Sequence, residues 1–347
     1  METRKSILLM MSGVMAFAFS SCKNADRTFP DYEGGTSVYF AYQYPVRTLV
    51  LGNDEVVDNS RDNEHKCAIY ATMGGSYEGR DITIDVEIDN SLCDNLTFED
   101  GSPVLPLPAD YYEMLGNQIR FGGDHWGYVE IQLKDAFFAD PKALTNNYVI
   151  PVLMTGQKGA DRIITGTPSI EGDQPARTNS AYWNIQPKDY VLYCVKYMNP
   201  WHGFYLRRGI DQITTAADGT ITTNVRHEES VEKDEVCEMT SRSLNTAIFP
   251  VSINDENGTA VTCDLLLTFD GDNCTITSGS DGIVASGSGK FVEDGEKNSW
   301  GNKDRDVIYL DYSIDYGFKQ VATKDTLVAQ TRGTNKLVTF TPTYNEK

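Results

Sequence analysis

The sequence predicts an all-β protein in which a β-sandwich is followed by a β-barrel. Short runs that alternate apolar and polar residues recur along the chain; in Ile82–Ile88 every second residue is Ile or Val. Such alternation is typical of antiparallel strands with one buried face. Gly, Pro, Asn and Asp separate the runs, and the N-terminal half shows no helical period. A length of 347 residues fits about two domains.

The first 21 residues have the composition of a bacterial export signal. Arg4 and Lys5 precede the apolar run Ile7–Phe19, which is too short to remain as a membrane-spanning helix. Ser20-Ser21-Cys22 follows and resembles a lipobox, although Phe19 replaces the more usual Leu. We therefore expect a signal peptide at 1–21 and lipidation of Cys22, with an ordinary signal peptide and a chance Cys as the alternative. The lipid would anchor the exported protein to the outer membrane, facing outside.

The segment 22–36, with Pro30 and Gly34-Gly35, is expected to be a tether, and 37–187 the sandwich domain. Tyr111–Met114 is either a short strand or a turn. The other predicted strands of this domain are Val38–Tyr42, Arg47–Leu51, Lys66–Thr72, Ile82–Ile88, Gln118–Phe121, Tyr128–Leu133 and Tyr148–Met154.

The stretch Lys188–Gly209 is expected to lead from the first domain into the second, which spans 188–347. It begins with large apolar residues on both faces, as in a strand covered on both sides or at a domain junction. Asn199-Pro200 then interrupts it. Eight or nine sequential strands joined by hairpin turns fit a small barrel, and Leu337–Thr341 is expected to close or lock it. The predicted strands are Phe204–Arg208, Thr220–Arg226, Glu235–Thr240, Thr246–Ser252, Thr262–Phe269, Cys274–Ser278, Ile283–Phe291, Asp306–Tyr316 and Gln320–Gln330.

Several of these segments resemble landmarks of a known domain family. Pro108, Tyr111 and Tyr112 in LPADYYEM precede a hairpin, and Tyr148–Val152 ends the domain. They resemble an N-terminal Ig-like domain of unknown function found in surface lipoproteins encoded beside polysaccharide-utilisation genes. The segment WNIQPKDYVLYCVKYMNPWHGFYLRRG is similar to the junction between that domain and a lipocalin-like (calycin-like) C-terminal barrel. The resemblance implies a surface role next to a glycan uptake system, and it transfers no catalytic residue.

Charge and motifs exclude several classes of function. The chain has 50 acidic and 30 basic residues, a net charge of −20, which disfavours nucleic acid as a partner. We find no hydrolase, zinc, phosphate-binding or redox motif, and therefore expect no catalytic residue, metal or cofactor. The segments Asp255–Gly258 and Asp270–Asn273 lack the spacing of a calcium loop and are expected to be hairpin turns. The six cysteines after Cys22 permit up to three disulfides, but a Cys263–Cys274 bridge is disfavoured by the hairpin register.

Two tryptophans in polar surroundings are the candidate ligand contacts. Trp300 lies in EKNSWGNKDRD, where Asn298, Asn302 and Asp304 are placed to bond sugar hydroxyls. In the first domain, Trp126 follows Asp124 and His125, which are expected to play the same role. Indole faces stack on the C–H faces of sugars, but each Trp is also a candidate for packing against its own domain.

The leading hypothesis is therefore a non-catalytic surface lipoprotein that binds polysaccharide or oligosaccharide beside an outer-membrane glycan transporter. One alternative is a structural or adhesion protein, which a surface without exposed aromatic clusters would favour. Another is a barrel that holds a small apolar ligand, which requires an interior not filled by side chains.

Overall fold

The computed structural model describes residues 29–334 and 337–346 and confirms the all-β fold, a β-sheet domain followed by a closed barrel. Strands account for 52% and helices for 8% of the structure. Within the described residues, no helix is long and apolar enough to cross a membrane. The predicted signal peptide and Cys22 lie outside the described residues.

The first domain is built on one twelve-stranded sheet that curls around its core. Two short helices, α1 (Ser60–Asn63) and α2 (Asp135–Ala139), accompany it, with 3₁₀ turns at Asn90–Cys93, Pro141–Leu144 and Ser180–Tyr182. The strands of this domain before the junction are β1 (Ser37–Tyr39), β2 (Pro45–Val50), β3 (Lys66–Gly74), β4 (Thr83–Ile88), β5 (Leu96–Thr97), β6 (Leu105–Pro106), β7 (Tyr112–Met114), β8 (Gln118–Arg120), β9 (Trp126–Leu133), β10 (Tyr148–Lys158), β11 (Arg162–Ile163), β12 (Thr167–Pro168) and β13 (Trp183–Ile185).

The junction strand β14 (Tyr190–Met198) belongs to this first sheet. It pairs antiparallel with β10 and parallel with β2, so the sheet continues β3-β9-β8-β4-β10-β14-β2. One face of β14 enters the main core through Val191 and Tyr193, and the other face packs Leu192 and Cys194 into a second apolar cluster. Coverage on both sides explains why both faces of this strand are apolar. The second sheet begins only at Gly203, beyond the expected boundary at 187/188.

The second domain is a closed eight-stranded barrel. Its first strand pairs with its last over Phe204–Thr215 and Lys319–Thr331, which removes both edges. A hairpin strand, β16, pairs outside the closed ring, and 3₁₀ turns lie at Val231–Lys233 and Trp300–Asn302. The strands are β15 (Gly203–Thr215), β16 (Ile221–Arg226), β17 (Glu235–Ser241), β18 (Thr246–Asn254), β19 (Ala260–Asp270), β20 (Asn273–Ser278), β21 (Val284–Glu296), β22 (Arg305–Asp315) and β23 (Lys319–Thr331).

Both acidic segments considered for calcium are hairpin turns, as predicted. Asp270 pairs with Asn273, and Phe269 lies opposite Cys274 in the ladder. The Asp255 side chain accepts backbone N–H groups of Asn257 and Thr259 within its own turn, each at 2.8 Å. The cysteines Cys67, Cys93, Cys194, Cys237, Cys263 and Cys274 are all unbridged.

The C-terminal segment returns to the first domain, so the expectation that it closes the barrel is wrong. Strand β24 (Val338–Thr339) pairs with β2, and β25 (Thr343–Tyr344) pairs with β5. Phe340 is buried among Phe98, Tyr44 and their neighbours. The barrel is already closed by β15 and β23, so the tail has no free barrel edge to join.

Arg332 connects the two domains where the chain leaves the barrel. Its guanidinium donates to the carbonyl oxygens of Leu51 and Asn53, each at 3.1 Å, and of Asn199, at 2.7 Å. Arg305 of the barrel adds an ion pair to Glu55 at 2.8 Å. The domains are therefore joined by two chain crossings and by side-chain bonds between them.

Candidate functional site

Three aromatic side chains form an exposed cluster, the aromatic platform, on the outer face of β3 and β9. Tyr70, Trp126 and Tyr128 are 48%, 49% and 41% exposed. The ladder places Tyr70 opposite Tyr128, so both side chains leave the sheet on the same face. Ring centroids lie 5.2 Å apart for Tyr70 and Tyr128, 5.6 Å for Tyr70 and Trp126, and 6.4 Å for Trp126 and Tyr128. The platform is thus a contiguous aromatic surface in contact with solvent.

Strand alternation places these rings outside. Ile69 and Ala71 of β3, and Val129 and Ile131 of β9, are almost fully buried in the core. Successive side chains of a strand point to opposite faces, which directs the intervening aromatic residues to solvent. Gly127 allows the close approach of β9 to β8, because a Cβ at this position would collide with the carbonyl of Arg120.

Arg61 of α1 holds the platform from one side. Its guanidinium lies 5.1 Å from the ring centroid of Tyr128 and donates to the hydroxyl of Tyr70 at 3.0 Å. The next residue, Asp62, anchors the helix: its buried carboxylate accepts the Val50 N–H at 2.8 Å and pairs with Arg47. Burial raises the pKa of Asp62, although the Val50 N–H and the Arg47 charge oppose this shift. The buried anchor therefore positions Arg61 over the Tyr128 ring and beside the Tyr70 hydroxyl.

Asp124 and His125, predicted as partners of Trp126, lie beside the platform and are exposed. The His125 ring is hydrogen-bonded to the carbonyl of Tyr77 at 3.0 Å. Its own carbonyl accepts the Met73 N–H at 3.1 Å. Tyr77 also contacts Phe29, with ring centroids 5.0 Å apart. The segment before Trp126 is therefore tied to a second pair of exposed aromatic rings.

A groove of about 500 Å³ opens next to the platform. The groove runs between β3 and β2. Strand β1 pairs only with the Thr72–Gly74 end of β3, so it does not cover the rest of that strand edge. Tyr42, Tyr70 and Trp126 contribute aromatic surface to its lining. The groove thus extends the aromatic platform with a mostly apolar wall, formed in part by Ala41, Pro45, Val46, Ile69, Ala71 and Val191.

The second candidate, Trp300, is packed against its own domain. Its ring lies 4.5 Å from the guanidinium carbon of Arg305 and contacts a buried cluster that includes Leu206, Val307 and Val328. Asp304 accepts the backbone N–H of Asn298 at 2.9 Å and pairs with Lys297 at 3.0 Å. Asn298 and Asn302, both exposed, have positive φ angles of 50° and 55° and shape the loop around Trp300.

The barrel interior contains a buried apolar core and an ion network. Arg207 Nε donates to Asp325 at 3.0 Å, and Arg226 Nη2 donates to Asp325 at 2.6 Å and to Asp211 at 2.7 Å. Burial opposes ionisation of Asp211, but the bonds and charge of Arg226 hold its pKa below the ordinary value. The apolar part of the interior consists of fully or almost fully buried residues such as Tyr205, Met239, Phe249, Leu265, Leu267, Ile308, Leu310 and Leu327.

Sequence reasoning proposed Trp126 as a ligand contact, and the structure places it in the platform beside Tyr70 and Tyr128, which sequence reasoning did not propose. Both lie at solvent-facing positions of strands that the alternation predicted. Tyr128 follows Trp126 by only two residues. The missing information was the pairing of β3 with β9. In the part of the chain that the structure describes, no cluster of three or more His, Cys, Asp or Glu residues could hold a metal.

These features define a two-domain all-β protein: a curled-sheet sandwich that carries an aromatic platform, joined to a closed eight-stranded barrel. The chain belongs to the family of a Bacteroides ovatus protein of unknown function whose crystal structure comes from structural genomics. The two chains are 46% identical, and the match covers 91% of this chain and 100% of the other, with a TM-score of 0.85.

Family models match both domains separately. A model described as Domain of unknown function (DUF5627) matches residues 200–333, and a model of an N-terminal domain matches residues 32–161. This two-domain architecture agrees with the predicted combination of domains. No curated protein matches the chain. A second Bacteroides ovatus structure, described as a candidate carbohydrate-binding protein, is 11% identical over 87% of this chain and 99% of its own. Its TM-score of 0.26 is too low to carry an argument about fold or ligand.

Proposed function

We propose that this protein is a non-catalytic, lipid-anchored surface protein that binds glycan on the aromatic platform. The observation that carries the proposal is the exposed cluster of Tyr70, Trp126 and Tyr128 beside an open groove. Contiguous exposed aromatic surface of this kind marks interaction sites in soluble proteins. Sugar rings offer C–H faces to such rings, and polar groups at the rim bond their hydroxyls.

The rigidity of the platform supports binding. Its rings stand on two paired strands, and Arg61 ties the Tyr70 hydroxyl to the face of Tyr128. Side chains that are already ordered lose little conformational entropy when a ligand binds. Asp124, His125 and Glu130 surround the rings and supply acceptors and donors for hydroxyl groups.

The other hypotheses receive less support. A surface without an exposed aromatic cluster would have favoured a structural or adhesion role. This surface carries such a cluster. Storage of a small apolar ligand requires an apolar cavity in the barrel, whereas the cavity of about 180 Å³ among its strands is lined in part by the charged side chains of Arg207, Asp211 and Arg226. The buried carboxylates Asp211 and Asp325 are both paired with guanidinium groups, so neither is left as an uncompensated buried charge.

Substitution of Trp126 by Ala tests the proposal. We expect the affinity for a bound glycan to fall about ten- to hundredfold, because a stacking aromatic contributes on the order of 1–3 kcal/mol by analogy with base stacking. Isothermal titration against plant, host and microbial glycans measures the affinity, and Tyr70→Ala is expected to weaken binding likewise.

Trp300→Ala is the matched control, since Trp300 packs on Arg305 and a buried cluster. It is expected to lower the melting temperature and to leave the affinity unchanged. Wild-type protein that binds no glycan across the panel, or Trp126→Ala protein that binds as tightly as wild type, would contradict the proposal.

A further inference from the structure

Two guanidinium groups flank the aromatic platform. Arg61 lies over Tyr128 from the side of α1. On the other side, Arg120 of β8 is the ladder partner of Tyr128, and the residue before it, Ile119, is fully buried. Arg120 therefore leaves the sheet on the same face as Tyr128, which lies between Tyr70 and Arg120.

Two of the arginines near the platform are paired with a carboxylate, and a third is not. Arg61 Nε lies 3.5 Å from Glu130, and Arg47 is paired with the buried Asp62. Arg120, by contrast, donates to the amide oxygen of Gln118 at 2.8 Å and has no carboxylate at ion-pair distance among the described residues. Gln118 itself donates to Asp85 at 2.7 Å, so an amide separates that carboxylate from Arg120.

An exposed, unpaired arginine beside stacking rings suits an anionic partner. The planar guanidinium matches carboxylate and sulfate groups with two parallel hydrogen bonds, and such charge-assisted bonds are stronger than neutral ones. The chain as a whole carries a net charge of −20, which repels polyanions at long range. A polyanion would therefore bind only where local contacts outweigh this repulsion, and Arg120 provides such a contact.

We propose that the glycan bound by the platform carries acidic groups, either the carboxylates of uronic acids or sulfate esters. This inference rests on the proposed function. The sugar ring stacks on the aromatic platform, while its anionic group bonds to the free donors of Arg120.

Titration with three defined polymers tests the inference: polygalacturonate, dextran sulfate and unmodified dextran. We expect polygalacturonate or dextran sulfate to bind more tightly than dextran, and the stronger of the two identifies carboxylate or sulfate as the preferred group. Arg120→Gln is expected to weaken the anionic ligand about tenfold, since it removes a charge-assisted contact at a solvated site. Binding should also weaken with added salt.

Arg242→Gln is the matched control, because Arg242 is exposed on the barrel far along the chain from the platform. It is expected to bind all three polymers as wild type does. Equal binding of dextran and both anionic polymers, or unchanged binding by Arg120→Gln, would overturn the acidic-glycan inference while leaving neutral glycan binding intact. If neutral and acidic glycans all fail to bind, the proposed function falls together with this inference.

Discussion

At the residue scale, Trp126 and Trp300 have similarly polar neighbours in sequence but end in different environments. Trp126 is the first residue of β9, where strand alternation points it away from the core. Trp300 lies in a 3₁₀ turn and folds back over Arg305. Local composition predicted exposure for both. The difference arises because an outward strand position has no core to reach, whereas a turn at the barrel end can fold onto one.

His202 gives a residue-scale prediction about pH. Its Nδ1 accepts the Ser241 N–H at 3.0 Å, and burial followed by the charges of Arg332 and Lys196 lowers its pKa to about 4 from the ordinary 6.5. The unfolded chain therefore binds a proton that the folded protein excludes. We expect the unfolding free energy to fall by up to about 3 kcal/mol as the pH falls between these two values.

Urea unfolding at several pH values between about 4 and 6.5 measures this dependence. His202→Gln should flatten the slope, because the titrating group is removed. His227→Gln, at an exposed position, should keep the wild-type slope. Identical slopes in wild type and His202→Gln would show that His202 does not cause the pH dependence.

At the element scale, the C-terminal segment serves the first domain although it follows the barrel. Strand β24 extends the edge of the first sheet beyond β2, and β25 covers the short strand β5. Phe340 is only 6% exposed and packs against Phe98 at 4.9 Å between ring centroids. The segment thus completes the second apolar cluster, which also contains Leu192 and Cys194 of β14.

Phe340→Ala is therefore expected to destabilise the first domain. Removing a buried Phe side chain costs about 3–5 kcal/mol, the lost burial plus the cavity that remains. Scanning calorimetry should show the unfolding transition of the first domain at lower temperature. Leu337→Ala, at a position 64% exposed, should change little. Equal effects of the two variants would mean that the tail contributes no specific packing.

At the scale of the whole molecule, the two domains contact each other directly and are not separated by a free linker. The chain crosses between them at Asn199–His202 and again after Arg332, which bonds three carbonyl oxygens near the crossing points. These bonds and the two chain crossings hold the barrel against the domain that carries the platform.

Attachment to a membrane surface is a prediction about Cys22. Acyl chains on Cys22 would supply the membrane affinity, since each buried methylene contributes about 0.8 kcal/mol. Cys22→Ala is expected to release folded protein into the soluble fraction, with glycan binding unchanged. Cell fractionation measures the outcome, and a variant that stays with the membrane would refute the lipid anchor.

Much of the fold was predictable from short-range patterns. Alternation predicted strands at Lys66–Thr72 and Ile82–Ile88, close to the observed Lys66–Gly74 and Thr83–Ile88. Turn residues predicted the hairpins at Asp255–Gly258 and Asp270–Asn273. The candidate site was predictable only in part. The polar residues around Trp126 indicated that it could be exposed. Tyr70 lies over fifty residues earlier, and nothing in its local sequence indicated that it contacts Trp126.

The sequence by itself determined the all-β class and the order of the two domains, because strand alternation and turn chemistry act over a few residues. Only the tertiary structure decided which strands became neighbours. It paired β3 with β9 and so gathered the platform, placed Arg120 beside Tyr128, and returned the C-terminal tail to the first sheet. These contacts join residues distant in sequence, and their energies depend on the register and closure of whole sheets, which no local pattern encodes.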